Sequence, residues 1–457
     1  MLSRTMSISN RAEAVFLFLG DVLILYGSLF LTLFFRYPAS SEFDFRQMVG
    51  LHMFPFSILF VLWLLVFFIA GLYEKHTLFL QKQLPQLLTK ALFVNVVIAI
   101  VFFYFLPAFK IAPKVNLFLC LFVSSIFLFL WRRYNFSVGK TADKEQAVII
   151  GSGEEMERIS REINNNPRYR IRFVFSVDPD SLSDADTTDF MRRVTAEEVS
   201  LIVVDLHAGT AHHLLPRLFE LLTKGVRFAD MHKVYEDMFD RIPLSLVQHN
   251  WFLENLSPVS SRFTYDFLKR LMDIIISSVL GLLSLVLYPF LYVTIKLDDG
   301  GPIFVHQKRV GKNNRSIRTI KFRTMSRDDA GREELKQGNK VTRVGAFLRR
   351  TRIDELPQLW NVVRGDMSLI GPRPELPSLV EIYEREVPYY GTRHLIKPGL
   401  SGWAQLYHKN PPKVDANPNE TAIKLSYDLY YLKNRSVWLD LKIALKTVKV
   451  LLSRSGV

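Results

Sequence analysis

An acidic pair, Asp354-Glu355, follows a basic cluster at Arg349, Arg350 and Arg352, and a rigid turn, Gly371-Pro372-Arg373-Pro374, carries one more arginine. Carboxylates ringed by guanidinium groups suit phosphate chemistry. The arginines neutralise phosphate oxygens through charge-assisted hydrogen bonds. The carboxylates either hold a divalent cation or attack phosphorus. Taken alone, the pair also has a plainer use. Asp354 can cap a helix running to about residue 363, with Pro357 in its first turn, or close a Thr351-x-x-Asp354 capping box. The company argues for chemistry. Phe304 and Gln307-x-Arg309-x-Gly311 lead into Lys321-Phe322-Arg323-Thr324-Met325, and Lys397-Pro398-Gly399-Leu400-Ser401-Gly402-Trp403-Ala404-Gln405 follows downstream. A second basic pair, Arg393-His394, reads as a structural or binding element, because carboxylate attack on a diphosphate needs no general base.

The elements that must position these residues begin in a membrane. Four apolar runs, residues 14–35, 51–72, 87–106 and 115–131, approach the length that crosses a bilayer core. Basic residues gather at one side of them: Arg4 and Arg11, then Lys75, Lys82 and Lys90, then Arg132, Arg133, Lys140 and Lys144. The opposite side holds Arg36, Arg46, Lys110 and Lys114, so the bias places the N-terminus and all that follows residue 132 in the cytoplasm. Asp21 lies within the first run; with no charge in the other spans to pair with, it reads as a structural or interfacial group. The net charge of +14 suits a protein lying against anionic lipid and handling phosphorylated substrates. Nucleic acid is excluded as a partner by the absence of a recognisable binding signature alongside four spans. The single cysteine, Cys120, rules out a disulfide or a cysteine metal site within one chain.

From Lys140 the composition becomes mixed. Residues 147–150, 171–177 and 201–205 read as strands, with helices from Glu154 and over residues 214–223. That alternation predicts an α/β Rossmann-like domain over residues 140–245. Its loop, Gly151-Ser152-Gly153, falls short of a dinucleotide fingerprint: Met156 replaces the third glycine, and Glu154 and Glu155 repel a pyrophosphate. A scaffold or regulatory role follows. Next, Lys269-Arg270 opens an apolar run over residues 271–295, closed by Lys296. Length alone makes it a fifth crossing. Basic residues at both ends and Pro289 within argue instead for a bent, re-entrant helix, with Lys269 and Arg270 as membrane anchors and Pro289 at the kink. Residues 436–452 place apolar side chains at helical spacing between Lys442, Lys446 and Lys449, an amphipathic helix for the membrane surface or the domain's own core.

In this order, the motifs around Lys321, Asp354 and Lys397 closely resemble the catalytic domain of the bacterial sugar transferase family, the polyprenyl-phosphate glycosyl-1-phosphate transferases. The dense match covers residues 262–457, and the layout resembles larger members with four added helices (residues 1–135) and a middle domain. The resemblance implies a membrane protein with a transmembrane bundle and a mainly helical α+β catalytic domain, membrane-associated through a re-entrant helix; members often carry Ser-Pro at the kink, where this chain has Tyr288-Pro289. It implies transfer of a sugar-1-phosphate from a UDP-sugar to undecaprenyl phosphate, releasing UMP, through a phosphosugar held on an aspartate. Such a step opens exopolysaccharide, capsule or O-antigen synthesis at the bacterial inner membrane. Asp354 matches the nucleophile and Glu355 the Mg2+ ligand, both catalytic; Lys321, Arg323, Arg349 and Arg373 match phosphate-binding positions. A homodimer is implied as well. The rival reading, a non-enzymatic scaffold of a polysaccharide export assembly, explains the spans but leaves the acid-and-arginine constellation without a use. A polytopic one-step enzyme would instead place its motifs on loops between many spans.

Overall fold

The computed structural model of the chain describes residues 3–37, 45–73, 84–105, 114–138, 144–166, 169, 171–179, 184–205, 214–256, 262–326, 340–408 and 417–453. Lys75, Lys82, Lys110 and Lys140, used above for orientation, lie outside them. The chain divides into two compact units, Met1–Met238 and Phe239–Val457.

The first unit opens with four long helices, α1 (Ser3–Arg36), α2 (Phe45–Ala70), α3 (Leu84–Phe105) and α4 (Lys114–Val138). Their apolar residues run around the whole helix rather than along one stripe. Leu25, Leu29, Phe56, Phe60, Trp63 and Leu128 fill the space between them, while Phe34, Phe54 and Phe122 face outward, as a lipid-embedded bundle requires. One expectation is corrected here. Asp21 does have a charged partner, because α4 continues past residue 131 and carries Arg132 back to it. Tyr73 donates to the same Asp21 oxygen at 2.7 Å, and Arg132 also reaches the Leu72 carbonyl at 2.9 Å.

After the bundle come β1 (Glu145–Ile150), α5 (Glu154–Asn165), β2 (Ile171–Val177), α6 (Asp184–Ala196), β3 (Leu201–Val204), α7 (Leu215–Thr223), β4 (Arg227–Asp230) and α8 (Met231–Phe239). The strands form one parallel sheet in the order β2-β1-β3-β4, registered by Ala147↔Phe173, Ala147↔Leu201 and Leu201↔Arg227. The central strands are uninterrupted apolar runs because both sheet faces are covered. Phe190 and Val194 of α6 and Leu218 and Leu221 of α7 pack on Val148, Ile150, Ile202 and Val204. The edge strand β4, Arg-Phe-Ala-Asp, is half-buried along its length and so carries no apolar run for a sequence reading to find.

The second unit contains α9 (His249–Leu256), α10 (Phe263–Ser284), α11 (Tyr288–Asp299), β5 (Phe304–Val310), β6 (Ser316–Phe322), α12 (Arg343–Thr351), α13 (Gln358–Arg364), β7 (Ser368–Ile370), α14 (Pro377–Glu386), β8 (Gly399–Ser401), α15 (Trp403–Tyr407), α16 (Pro418–Asn434) and α17 (Val437–Ser453). It begins well before the motif-bearing region. Ile242, Val247, Trp251 and Leu256 enter one core with Tyr383, Tyr390, Trp403, Leu425 and Leu429, and Trp403 Nε1 donates to the Asp240 carbonyl at 2.8 Å. The C-terminal helix α17 buries Leu439 and Ile443 in that core while Trp438 and Leu451 stay exposed.

Together α10 and α11 make the run read above as a membrane segment. Among the described residues, five helices are long and apolar enough to cross a membrane, this one included by length and composition. The chain is a membrane protein whose second unit is mixed α/β. A 3-10 turn, Leu285–Leu287, separates α10 from α11, and Pro289 stands in the first turn of α11, where its missing N–H costs least. Both arms are fastened to the same unit. Arg270 donates to the carbonyls of Val362 and Val363 at 2.7 and 2.8 Å, capping the C-terminus of α13. Lys269 pairs with Asp440 at 2.9 Å. These protein partners account for the two side chains read as membrane anchors. At the far end, Asp298 accepts from the Val344 N–H at 3.0 Å and Asp299 from Arg323 Nε at 2.8 Å. The stretch between is apolar and outward-facing at Leu283, Val286 and Phe290.

Candidate active site

Asp354 and Glu355 sit on a short 3-10 turn, Ile353–Glu355, wedged between α12 and α13. Thr342 caps α12 by accepting from the Gly345 N–H at 2.9 Å. Gly345 presses against the Thr324 backbone so closely that a Cβ would collide with the Thr324 carbonyl. The helix stops at Arg352, a left-handed residue (φ 58°), which swings the chain into the 3-10 turn. Thr351 spends its hydroxyl on the carbonyls of Phe347 and Leu348, so it closes no capping box with Asp354. Pro357 then starts α13, whose Asn361 is fully buried and pins the helix to β6, accepting from Ile320 N at 3.1 Å and donating to Arg318 O at 2.7 Å. A 3-10 turn spaces consecutive side chains by about 120°, so the neighbouring carboxylates diverge.

The two acids occupy different electrostatic settings. Asp354 is buried, with Oδ1 lacking a hydrogen-bond partner among the described residues. Burial first, and then the charge of Glu355, push its carboxyl up to about 6 against the pull of Lys321, Arg352 and Arg349. Burial acts on Glu355 in the same upward sense, but Arg373 and Arg352 outweigh it and hold this carboxyl below its usual range. Arg373 Nη2 donates to Glu355 Oε1 at 2.7 Å, and Arg352 Nη1 lies 3.6 Å from the same oxygen. Two adjacent carboxylates pushed apart in this way take distinct roles.

Four phosphate-binding positions were read from the sequence, and three of them converge here. Lys321, from β6, and Arg349, from α12, act on Asp354; Arg349 Nε also donates to Thr324 Oγ1 at 2.9 Å. Arg373 arrives on its turn to meet Glu355. Arg323 does not join them. Its guanidinium binds Asp299 and the Ser326 carbonyl, both at 2.8 Å, fastening the end of α11 to the strand that carries Lys321. His394 is buried, its imidazole pushed down to about 4 by burial and by Arg393, so it stays neutral. Its neighbour Arg393 is buried between Asp428 and Glu375. These partners were invisible in the sequence, because only folding brings the segment before α14, α16 and the residue 390–395 turn together. In the middle domain, Gly153 (φ 89°) starts α5, whose first turn holds Glu154, Glu155 and Glu157. A Cβ on Gly151 would lie 3.1 Å from Met231 Cε.

Carboxylates of opposed proton affinity, set within lysine and arginine, suit phosphate chemistry. Residues 264–454 match the bacterial sugar transferase family. A UDP-galactose-lipid carrier transferase of Erwinia amylovora is 38% identical over 362 residues, covering 68% of this chain and 69% of that protein. An undecaprenyl-phosphate glucose phosphotransferase of Komagataeibacter xylinus is 33% identical over 66% of this chain and 58% of its own length. A UDP-N-acetylgalactosamine-undecaprenyl-phosphate N-acetylgalactosaminephosphotransferase of Aeromonas hydrophila is 45% identical over 42% of this chain and 45% of its own. The chain thus spans about half the length of the Aeromonas hydrophila and Komagataeibacter xylinus relatives. It belongs to the bacterial sugar transferase family.

Proposed function

We propose that this chain transfers a sugar-1-phosphate from a UDP-sugar to undecaprenyl phosphate, giving an undecaprenyl-diphosphate sugar and UMP. The observation that carries the reading is the Asp354–Glu355 turn, with one buried Asp354 oxygen lacking a hydrogen-bond partner among the described residues and the neighbouring Glu355 held ionised by Arg373. In the first step an Asp354 oxygen attacks the sugar-linked phosphorus, a P–O bond forms, and the bond to UMP breaks with its electron pair leaving on UMP. In the second, a phosphate oxygen of the polyprenyl carrier attacks the same phosphorus and returns the carboxylate to Asp354. Lys321 and Arg349 face the charge that develops on the transferred group, and Arg373 fixes the direction of Glu355. The rival reading, a non-enzymatic membrane scaffold of a polysaccharide export assembly, gives these groups nothing to do.

Glu355 also fits a magnesium ion. No cluster of three or more His, Cys, Asp or Glu occurs among the described residues. Magnesium is well served by one carboxylate together with diphosphate oxygens and water, and the ionised Glu355 supplies such a hard donor. When bound, the ion would offset charge on the departing UMP.

The wider assignment belongs to the same reading. The basic bias of the first unit supports a catalytic unit at the cytoplasmic face of the inner membrane, serving exopolysaccharide, capsule or O-antigen synthesis. A re-entrant α10–α11 hairpin is supported by the 3-10 break, by Pro289 and by the fastening of both ends to one unit. The parallel sheet with its crossover helices supports a Rossmann-like middle module acting as scaffold or regulator rather than as a dinucleotide site. A homodimer completes the assignment. The test is UMP release by the full-length protein across a panel of UDP-sugars with undecaprenyl phosphate present. One or a few donors should give release that depends on Asp354; no release from any donor would overturn the proposal.

A further inference from the structure

The turn that carries Arg373 is held by its backbone at every residue. Gly371 N donates to Ser401 O at 2.8 Å, and Pro372 O accepts from Gly399 N at 2.9 Å. The Arg373 carbonyl accepts from Arg393 Nη2 at 3.0 Å. Pro374 O accepts from Arg309 at 3.4 Å, and Glu375 O from Val310 N at 3.0 Å. Three of these five anchors are backbone pairs such as β-type neighbours supply anywhere, and the Arg309 side chain makes a fourth, longer contact. The fifth is unusual, because a fully buried guanidinium is aimed at the one carbonyl next to the arginine that grips Glu355.

Arg393 is itself over-determined. Its Nη2 lies 2.8 Å from Asp428 Oδ2, its Nη1 donates to Tyr390 Oη at 2.8 Å, and Glu375 Oε1 is 3.7 Å away. Lys424 closes the cluster on Glu375. A planar fork so held has one place to put Nη2, unlike a lysine on a flexible stem. Such a buried cluster is weak evidence for stability, since well-packed apolar residues serve as well. Placement of a neighbour is a better explanation of why charge is kept there.

We propose that Arg393 is a positioning residue for the sugar-phosphate transfer: through the Arg373 carbonyl it sets where the Arg373 guanidinium meets Glu355. The inference rests on the proposed function for the importance of Glu355, and on the geometry alone for the link between the two arginines. A displacement of about 1 Å at such a link is enough to cost up to a hundredfold in rate.

The test is a double-mutant cycle in the full-length protein, with Arg393→Lys made in wild-type and Arg373→Ala backgrounds. Lysine keeps a charge against Asp428 and Glu375 but lacks the fork. In the wild-type background kcat should fall about tenfold or more with the KM for UDP-sugar nearly unchanged, and in the Arg373→Ala background the same change should cost less than about twofold. Equal losses in both backgrounds would overturn the proposal. Hydrogen exchange gives a readout independent of activity, and Tyr390→Phe removes one Arg393 contact without stranding a charge. Both variants should speed exchange in the peptide over residues 371–376 while that over residues 425–432 stays at the wild-type rate. Faster exchange in both peptides, or in neither, would mean a merely structural arginine. Because the cycle compares Arg393 with Arg373 only, failure of the nucleophile or metal role would show in Asp354 and Glu355 variants instead.

Discussion

At the scale of single residues, the account turns on two neighbouring carboxylates made unlike by their surroundings. Burial keeps Asp354 reluctant to ionise, with its carboxyl at about 6, whereas Arg373 and Arg352 overcome burial to keep Glu355 charged. In the proposed reaction only the ionised form of Asp354 attacks phosphorus. Activity should therefore be present above that value and lost as pH falls through it, giving kcat/KM an acid limb near 6. A pH profile with full activity at pH 5 would contradict that setting. Asp354→Asn keeps the shape and removes the attacking charge, so UMP release should fall to background. Retention of more than about a tenth of the wild-type rate, a loss under about 1.4 kcal/mol, would exclude a covalent role. Glu355→Gln should also disable the enzyme, with partial recovery in excess magnesium, measured as UMP release against metal concentration.

At the scale of elements, the site depends on close approaches that the sequence only partly discloses. The acid pair, the basic cluster and the Arg373 turn were legible because residue type and order carry them. The 3-10 geometry was not, because a left-handed Arg352 has no sequence mark and Pro357 is equally at home in the first turn of a longer helix. Arg323 shows the same limit. Motif membership suggested phosphate, yet its partner is Asp299, on an element separated from it by the whole of β5 and β6. Gly345 is a further case: α12 can carry Arg349 towards Asp354 only if its backbone lies against Thr324. Gly345→Ala should push α12 away and lower kcat by about tenfold or more, an effect of misplacement rather than of lost binding. Unchanged kinetics in a folded Gly345→Ala protein would show that this approach is dispensable. In the middle domain the three apolar strands were read from their runs, whereas β4 escaped because an edge strand needs no such run.

At the scale of the whole molecule, the proposed reaction brings a soluble nucleotide-sugar and a lipid-embedded phosphate to one turn in succession, which makes both topology and mechanism testable. If the α10–α11 segment re-enters, cysteines at Thr264 and Pro302, placed after Cys120→Ala, should be labelled only from the cytoplasmic side of sealed vesicles. Labelling of Pro302→Cys from the outer side would end the hairpin and move Asp354 away from its donor. Gly151→Ala and Gly153→Ala should disturb folding or assembly, read as thermal stability, more than turnover, since Gly153 needs its positive φ while the acidic turn beyond it disfavours a nucleotide phosphate. The central claim is that the protein itself carries the phosphosugar between its two substrates. Its most direct test is the intact mass of the full-length protein after exposure to an accepted UDP-sugar with no polyprenyl phosphate present. The account predicts the added mass of one sugar phosphate, located on Asp354, absent from Asp354→Asn and discharged when undecaprenyl phosphate is supplied. An unmodified wild-type protein that nonetheless forms product once both substrates are present would contradict it.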